Sequence, residues 1–204
     1  MTLNSEILKA KDFFYNKRYD EACAIFLAQK DYYACGLCSL LLQDTTLAKQ
    51  YWQLCQKNSP AAQWGLCVLD LINLKEGLRP TFFQTRAFLE VYLNLFLENN
   101  LIEWAENLVS MNDVFFRANP ESYKFIARAL FANSIFDVAI TFCKKSLRVF
   151  YADPEAFLIL SQCYYLTGEL NEAREDLDRI LAMSPDYYPA KLFDEILKKE
   201  MHSR

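Results

Sequence analysis

The chain has 204 residues, of which 53% are hydrophobic and 15% aromatic, with only four glycines and six prolines. That is enough apolar surface for a core without metals or disulfides, and too few turn-making residues for the many short strands of a β protein. A net charge of -4, with both signs mixed along the whole length, argues against a phosphate backbone as partner, so no nucleic acid is expected.

The N-terminal stretch KAKDFFYNKRYDEACAIFLA places Ala10, Phe13, Ala22 and Phe26 at helical spacing, and the next segment places Gly36, Ala48, Trp52 and Pro60 in the same way. From Ala22 to Ala48 is only 26 residues, which predicts shortened helical hairpins. Between Pro60 and Gly77 one apolar helix (Trp64, Leu66, Leu69, Leu71, Ile72, Leu74) has no evident partner, and KEGLRPT then breaks the chain. The most apolar run, FLEVYLNLFLENN, is interrupted by Glu90, Asn94 and Glu98. It falls short of the roughly 20 apolar residues of a membrane span.

From here the pattern repeats. A shift of 34 residues aligns Ala105 with Ala139 and Ala173; sixteen residues earlier stand Leu89, Tyr123 and Phe157, and four residues later Val109, Cys143 and Leu177. Large, small and aromatic side chains recur at offsets of three and four, which gives two antiparallel helices per copy, with the small residue allowing close approach. Gly168 marks the turn of the last copy, Glu169 opens the following helix, and Pro185 ends it. Residues 187–201 form one further helix, expected to turn Leu192, Ile196 and Leu197 inward and Lys191, Asp194, Glu195, Lys198 and Lys199 outward as a cap. No single hairpin of this kind buries its own apolar face, whereas stacked copies do.

This sequence resembles the tetratricopeptide repeat (TPR), a helix-turn-helix family of 34-residue units. Phe157, Leu160, Ser161, Tyr164, Gly168, Ala173, Leu177 and Pro185 carry the likeness in the last copy, with serine for the usual glycine at Ser161. In the copy before it Tyr123, Ile126, Ala127, Leu130 and Ala139 match, with Ser134 at the turn and Tyr151 where proline is usual. The resemblance implies an all-α solenoid of about 11–12 helices in one domain. Irregular hairpins are expected over 1–76, three more regular repeats over 80–186 and a capping helix over 187–201.

Reactive constellations are sparse. The single histidine, His202, is the third residue from the end of the sequence, where a catalytic or zinc-binding role would rest on a frayed terminus. Cys35 and Cys38 form a lone CxxC inside an apolar helical run; structural zinc would require a second such pair. No phosphate-cradling, nucleophile-elbow or HExxH motif occurs. Neither cofactor nor metal is expected, and the protein is read as a non-enzyme. Seven cysteines, odd in number and set in apolar surroundings, together with a start lacking a basic and then apolar leader, predict reduced thiols and a cytoplasmic location.

The TPR resemblance further implies a groove lined by first helices. In the copy at Tyr123 it assigns Lys124, Arg128, Phe131 and Ala132 to that lining, and in the copy at Phe157 it assigns Leu158, Gln162, Tyr165 and Leu166. The expected partner-binding residues are therefore Lys124, Arg128, Phe131, Gln162 and Tyr165. Ile159 stands where the family's carboxylate clamp would place asparagine. The function implied is a protein-interaction scaffold or adaptor holding a peptide segment. A secretion-type chaperone, a subunit of a larger assembly and a helical thiol enzyme using Cys35 or Cys38 are the alternatives.

Overall fold

The computed structural model describes residues 3–75, 77 and 79–203, so the break KEGLRPT is described only in part. Among these residues there are thirteen α-helices and no strand. They are α1 (Leu3–Tyr15), α2 (Tyr19–Ala28), α3 (Tyr32–Leu41), α4 (Thr45–Cys55), α5 (Pro60–Leu71), α6 (Phe82–Glu98), α7 (Ile102–Ser110), α8 (Asn112–Ala118), α9 (Ser122–Ala132), α10 (Phe136–Val149), α11 (Pro154–Thr167), α12 (Leu170–Met183) and α13 (Tyr188–Ser203). The fold is an all-α, TPR-like succession of helix-turn-helix hairpins. The short α8 is an element that no periodicity announces. No described helix is long and apolar enough to cross a membrane.

The chain divides into two compact units. The first runs to Gln84 and includes Asn99–Met111; the second comprises Thr85–Glu98 and the chain from Asn112 onward.

In the first unit, helix starts are fixed by side-chain caps. Asp31, Asp44 and Ser59 accept hydrogen bonds from the backbone N–H of Ala34, Leu47 and Ala62 at 3.0, 2.8 and 3.1 Å, satisfying donors that a helix leaves free in its first turn. The turns before α2, α3 and α4 are tight because Lys17, Lys30 and Gln43 each take a left-handed backbone conformation, with φ of 59°, 59° and 64°. The N-terminal hairpins are short because α2, α3 and α4 run to only 10, 10 and 11 residues, against 14 in each of α10, α11 and α12. Trp52 of α4 is completely buried, its indole lying against Gly36 of α3 and Gly65 of α5. The apolar helix without an evident partner, α5, packs against α4, α3 and α7, and Asn107 of α7 donates to the carbonyl of Ile72 at its C-terminal end, 2.8 Å. That partner lies 35 residues along the chain, beyond the reach of any local pattern.

In the second unit α9 pairs with α10, and α11 with α12. The aligned alanines Ala139 and Ala173 are completely buried, as close helix approach requires. Ser161, which takes the place of a glycine, donates its hydroxyl to the carbonyl of Ala173 at 2.5 Å, so the polar atom it introduces is satisfied inside the hairpin. The two turns match: Ser134 has φ 62° and Gly168 φ 87°. Helix α13 packs on α12 and α11 through Ala190, Phe193 and Leu197, all buried. It departs from the expected cap in one respect. Leu192 and Ile196 do not join Leu197 inside but remain about half exposed, alongside Tyr188. The inward face is defined by the 190–193–197 spacing, and Ile196 and Leu192 lie roughly a quarter to a third of a turn around the helix from it.

Candidate functional site

The five residues assigned by the repeat register all belong to the second unit, on α9 and α11. On α9, Lys124 and Arg128 are one helical turn apart and share a face. Lys124 is buried, its ammonium 2.7 Å from Asp153 Oδ2, 3.2 Å from Glu155 Oε2 and 3.7 Å from Glu121 Oε1. Arg128 donates from Nε and Nη2 to Glu90 Oε2 of α6, at 2.9 and 2.5 Å, and from Nη1 to Glu155 Oε1 of α11 at 2.8 Å. Glu155 therefore joins the two cations. The Arg128 guanidinium also lies over the Phe125 ring, 5.3 Å from the centroid.

The titrations follow from these contacts. Burial alone would lower the Lys124 ammonium pKa, but Asp153 and Glu155 more than offset it, and the net shift is upward. Burial would raise the Glu155 carboxyl, yet the Arg128 and Lys124 contacts pull it below the usual carboxylate value. Both side chains stay charged through neutral pH. Beside them a depression of about 520 Å³ is lined by Glu121, Lys124, Phe150, Tyr151 and Asp153.

The other three residues sit in different surroundings. Phe131 is half-buried and leans on Phe136 across its own turn, with ring centroids 6.0 Å apart. Tyr165 is half-buried with its ring edge-on to Phe193 of α13 at 5.6 Å. Gln162 is half-buried; its amide makes no hydrogen bond within the described residues. The structure thus links Lys124 with Arg128 and ties Tyr165 to α13, while Phe131 belongs to the packing of one hairpin.

Residues outside the assigned set complete this face. Leu166, one turn on from Gln162, is 52% exposed, and Leu192 and Ile196 of α13 are 46% and 50% exposed. Adding 34 to Leu158 and Gln162 gives Leu192 and Ile196, so the repeat register carried onto α13 would have found them. Glu90 and Glu155 carry no comparable signal, since single carboxylates on helices are common.

The cysteines are placed for packing. Cys35 and Cys38 expose no surface; burial pushes the Cys35 thiol up to about 12 and Cys38 higher still. Neither holds a thiolate at neutral pH. No group of three or more metal-ligating side chains occurs among the described residues, and the side chain of His202 lies outside them.

No protein-family model matches the chain, and no curated protein matches it. Among solved structures it is similar to the C-terminal part of a TPR repeat-containing protein from Cytophaga hutchinsonii. The identity is 17% over 90% of this chain and 67% of that one, at a TM-score of 0.45. It is similar also to YrrB, a TPR protein with an unusual peptide-binding site, at 14% identity over 93% of this chain and 90% of that one, with a TM-score of 0.46.

Proposed function

We propose that the protein is a non-catalytic interaction scaffold that takes a segment of another polypeptide on the face shared by α9, α11 and α13. The observation that carries this reading is the exposure of Leu166, Leu192 and Ile196. The 34-residue register places Leu192 and Ile196 at the positions that Leu158 and Gln162 hold on α11, and Leu166 stands one turn beyond Gln162. A closing helix without a partner would turn its charged side outward, as solubility favours. Lys124, Arg128, Gln162 and Tyr165 supply the polar and aromatic part of the same face. A specific interface needs roughly 800 Å² per partner, an area that three adjacent helices provide.

Site-specific photo-crosslinking in the native cell tests this. A photoreactive side chain at Gln162 or Leu192 should give a discrete crosslinked product, and one at Thr141 or Arg179, on the second helices α10 and α12, should not. Products arising only from Thr141 and Arg179 would move the interaction elsewhere and refute the assignment.

A further inference from the structure

The face has two chemically unlike ends, and its ionic end is a finished network. Around α9 four carboxylates (Glu90, Glu121, Asp153, Glu155) meet three cations, Lys124, Arg128 and Arg86, whose guanidinium lies 3.6 Å from Glu121. One negative charge is left over. The deepest cation is already spoken for: the Lys124 side chain is 11% exposed and has three carboxylates about it. Arg128 is shared between Glu90 and Glu155. A partner carboxylate entering here would have to displace one of those two, leaving a like charge beside it. An entering ammonium or guanidinium meets no such obstacle. Each carboxylate accepts about four hydrogen bonds, and the Glu90, Glu121 and Glu155 side chains are 31%, 33% and 39% exposed.

Toward α13 the chemistry changes. Gln162 offers an amide without a hydrogen-bond partner among the described residues, suited to the peptide backbone of an extended segment, and Leu166, Leu192 and Ile196 stand open to solvent. Side-by-side helices lie about 8–10 Å apart, so from α9 to α13 is roughly 20 Å, the length of about six extended residues.

We infer that this face selects a short segment of a partner protein that carries lysine or arginine at one end, seated by Glu90 and Glu155, and aliphatic side chains at the other, seated on Leu166, Leu192 and Ile196. The inference rests on the reading of this face as a segment-binding surface. It fixes the sign and direction of what binds: a basic-to-apolar segment, not one ending in a free carboxylate or carrying acidic residues.

The test is selection from a random 12-residue peptide library against the full chain, followed by affinity measurement on synthetic copies of the retained peptides. Retained sequences should pair Lys or Arg at one end with Leu, Ile, Phe or Met at the other. Replacing their basic residues by glutamate should weaken binding at least tenfold, and so should Leu192→Asp with Ile196→Asp in the protein. Because Leu192 and Ile196 are half exposed, that variant keeps its helix content by circular dichroism. Glu90→Gln should lower affinity severalfold and flatten its salt dependence. Retained peptides that are acidic or uncharged, yet still lost with Leu192→Asp and Ile196→Asp, would overturn the charge selection and leave the binding face standing. Retention of no peptide, or of peptides indifferent to changes at Leu192, Ile196 and Gln162, would bring down the face itself.

Discussion

Trp52 and the two glycines that flank it make the sharpest stability prediction. A Cβ built on Gly36 would lie 2.2 Å from Trp52 Nε1 and 2.5 Å from its Cδ1, and one on Gly65 would lie 2.6 to 2.7 Å from the ring carbons. Ordinary carbon contacts begin near 3.5 Å, so the ring must retreat by roughly 1.3 Å to admit Gly36→Ala. It has nowhere to go: Trp52 is completely buried, its indole N–H donates to the Tyr33 carbonyl at 3.2 Å, and moving off Gly36 drives it toward Gly65. Overpacking of this kind costs about 1–3 kcal/mol, and the better helix propensity of alanine returns up to about 1 kcal/mol. Gly36→Ala should therefore destabilise by roughly 1–2 kcal/mol. In a Trp52→Leu background the obstacle is gone and only the propensity gain remains, so the same change should stabilise by up to about 1 kcal/mol. The expected coupling, about 2 kcal/mol, is well above the error of additivity for independent sites. Urea unfolding of the four proteins, followed by far-ultraviolet circular dichroism, measures it. Equal cost of Gly36→Ala in both backgrounds would refute the argument that Trp52 is what requires the glycine.

The matching turns predict opposite outcomes for one chemical idea. Gly168→Ala meets no atom within 4 Å but has φ 87°, and should lower stability by about 1 kcal/mol through backbone strain alone, whereas Ser134→Gly at φ 62° should raise it by about 0.5–1 kcal/mol; thermal melts decide. Thiol labelling at neutral pH should leave Cys35, Cys38, Cys67, Cys143 and Cys163, all buried, unmodified until the protein unfolds. Fast modification of Cys35 or Cys38 in the folded protein would revive the thiol-enzyme reading. Two carboxylates should tilt the pH dependence of stability in opposite directions. Glu155 is held below its unfolded value by Arg128 and Lys124, so its contribution is present above the unfolded pKa, about 4.3, and is lost as pH falls through the lower folded value. Asp176 is raised by burial, so its contribution is present below the unfolded pKa and is lost as pH rises through the folded one. Denaturant titrations of Glu155→Gln and Asp176→Asn across acidic pH should each remove the matching slope; unchanged slopes would contradict the stated causes.

The parts legible in the sequence are those governed by local period. Ala139 and Ala173 mark the close crossings because only a small residue fits there, and Gly168 marks its turn because glycine is the usual occupant of a left-handed position. The same backbone conformation at Lys17, Lys30, Gln43 and Ser134 went unmarked, since a lysine or glutamine in that conformation looks like any other loop residue. The partnering of α5 by α7 through Asn107 was hidden for a different reason, being a contact of long sequence separation with no repeat to point at it. For the proposed face, the register assigned Lys124, Arg128, Gln162 and Tyr165. It did not reveal that Glu90 and Glu155 already neutralise the arginine, which depends on how neighbouring helices abut. The misplacement of Leu192 and Ile196 has a simple origin: amphipathic logic assigns every large apolar residue of a closing helix to one inner face. Here Ala190 and Phe193 set that face instead, together with an ion pair between Arg174 and Asp194.

The two ends of the face divide the physical tasks of recognition between them. Leu166, Leu192 and Ile196 are exposed by 52%, 46% and 50%, and a large apolar side chain gains about 1.5–3 kcal/mol when its whole surface leaves water. Covering the exposed half of these three is therefore worth roughly 2–4 kcal/mol. Loss of rigid-body freedom on association costs at least about 4 kcal/mol, so the apolar end alone holds nothing. The ionic end cannot make up the deficit by simple attraction, because partly exposed ion pairs contribute only about 0–1 kcal/mol each. Affinity has to come from a segment long enough to use Gln162 and Tyr165 between the ends as well. The charged end then contributes mainly discrimination and encounter rate, which is why changing the sign of a partner's end residues should alter association rate and salt dependence, while trimming its apolar residues should alter dissociation.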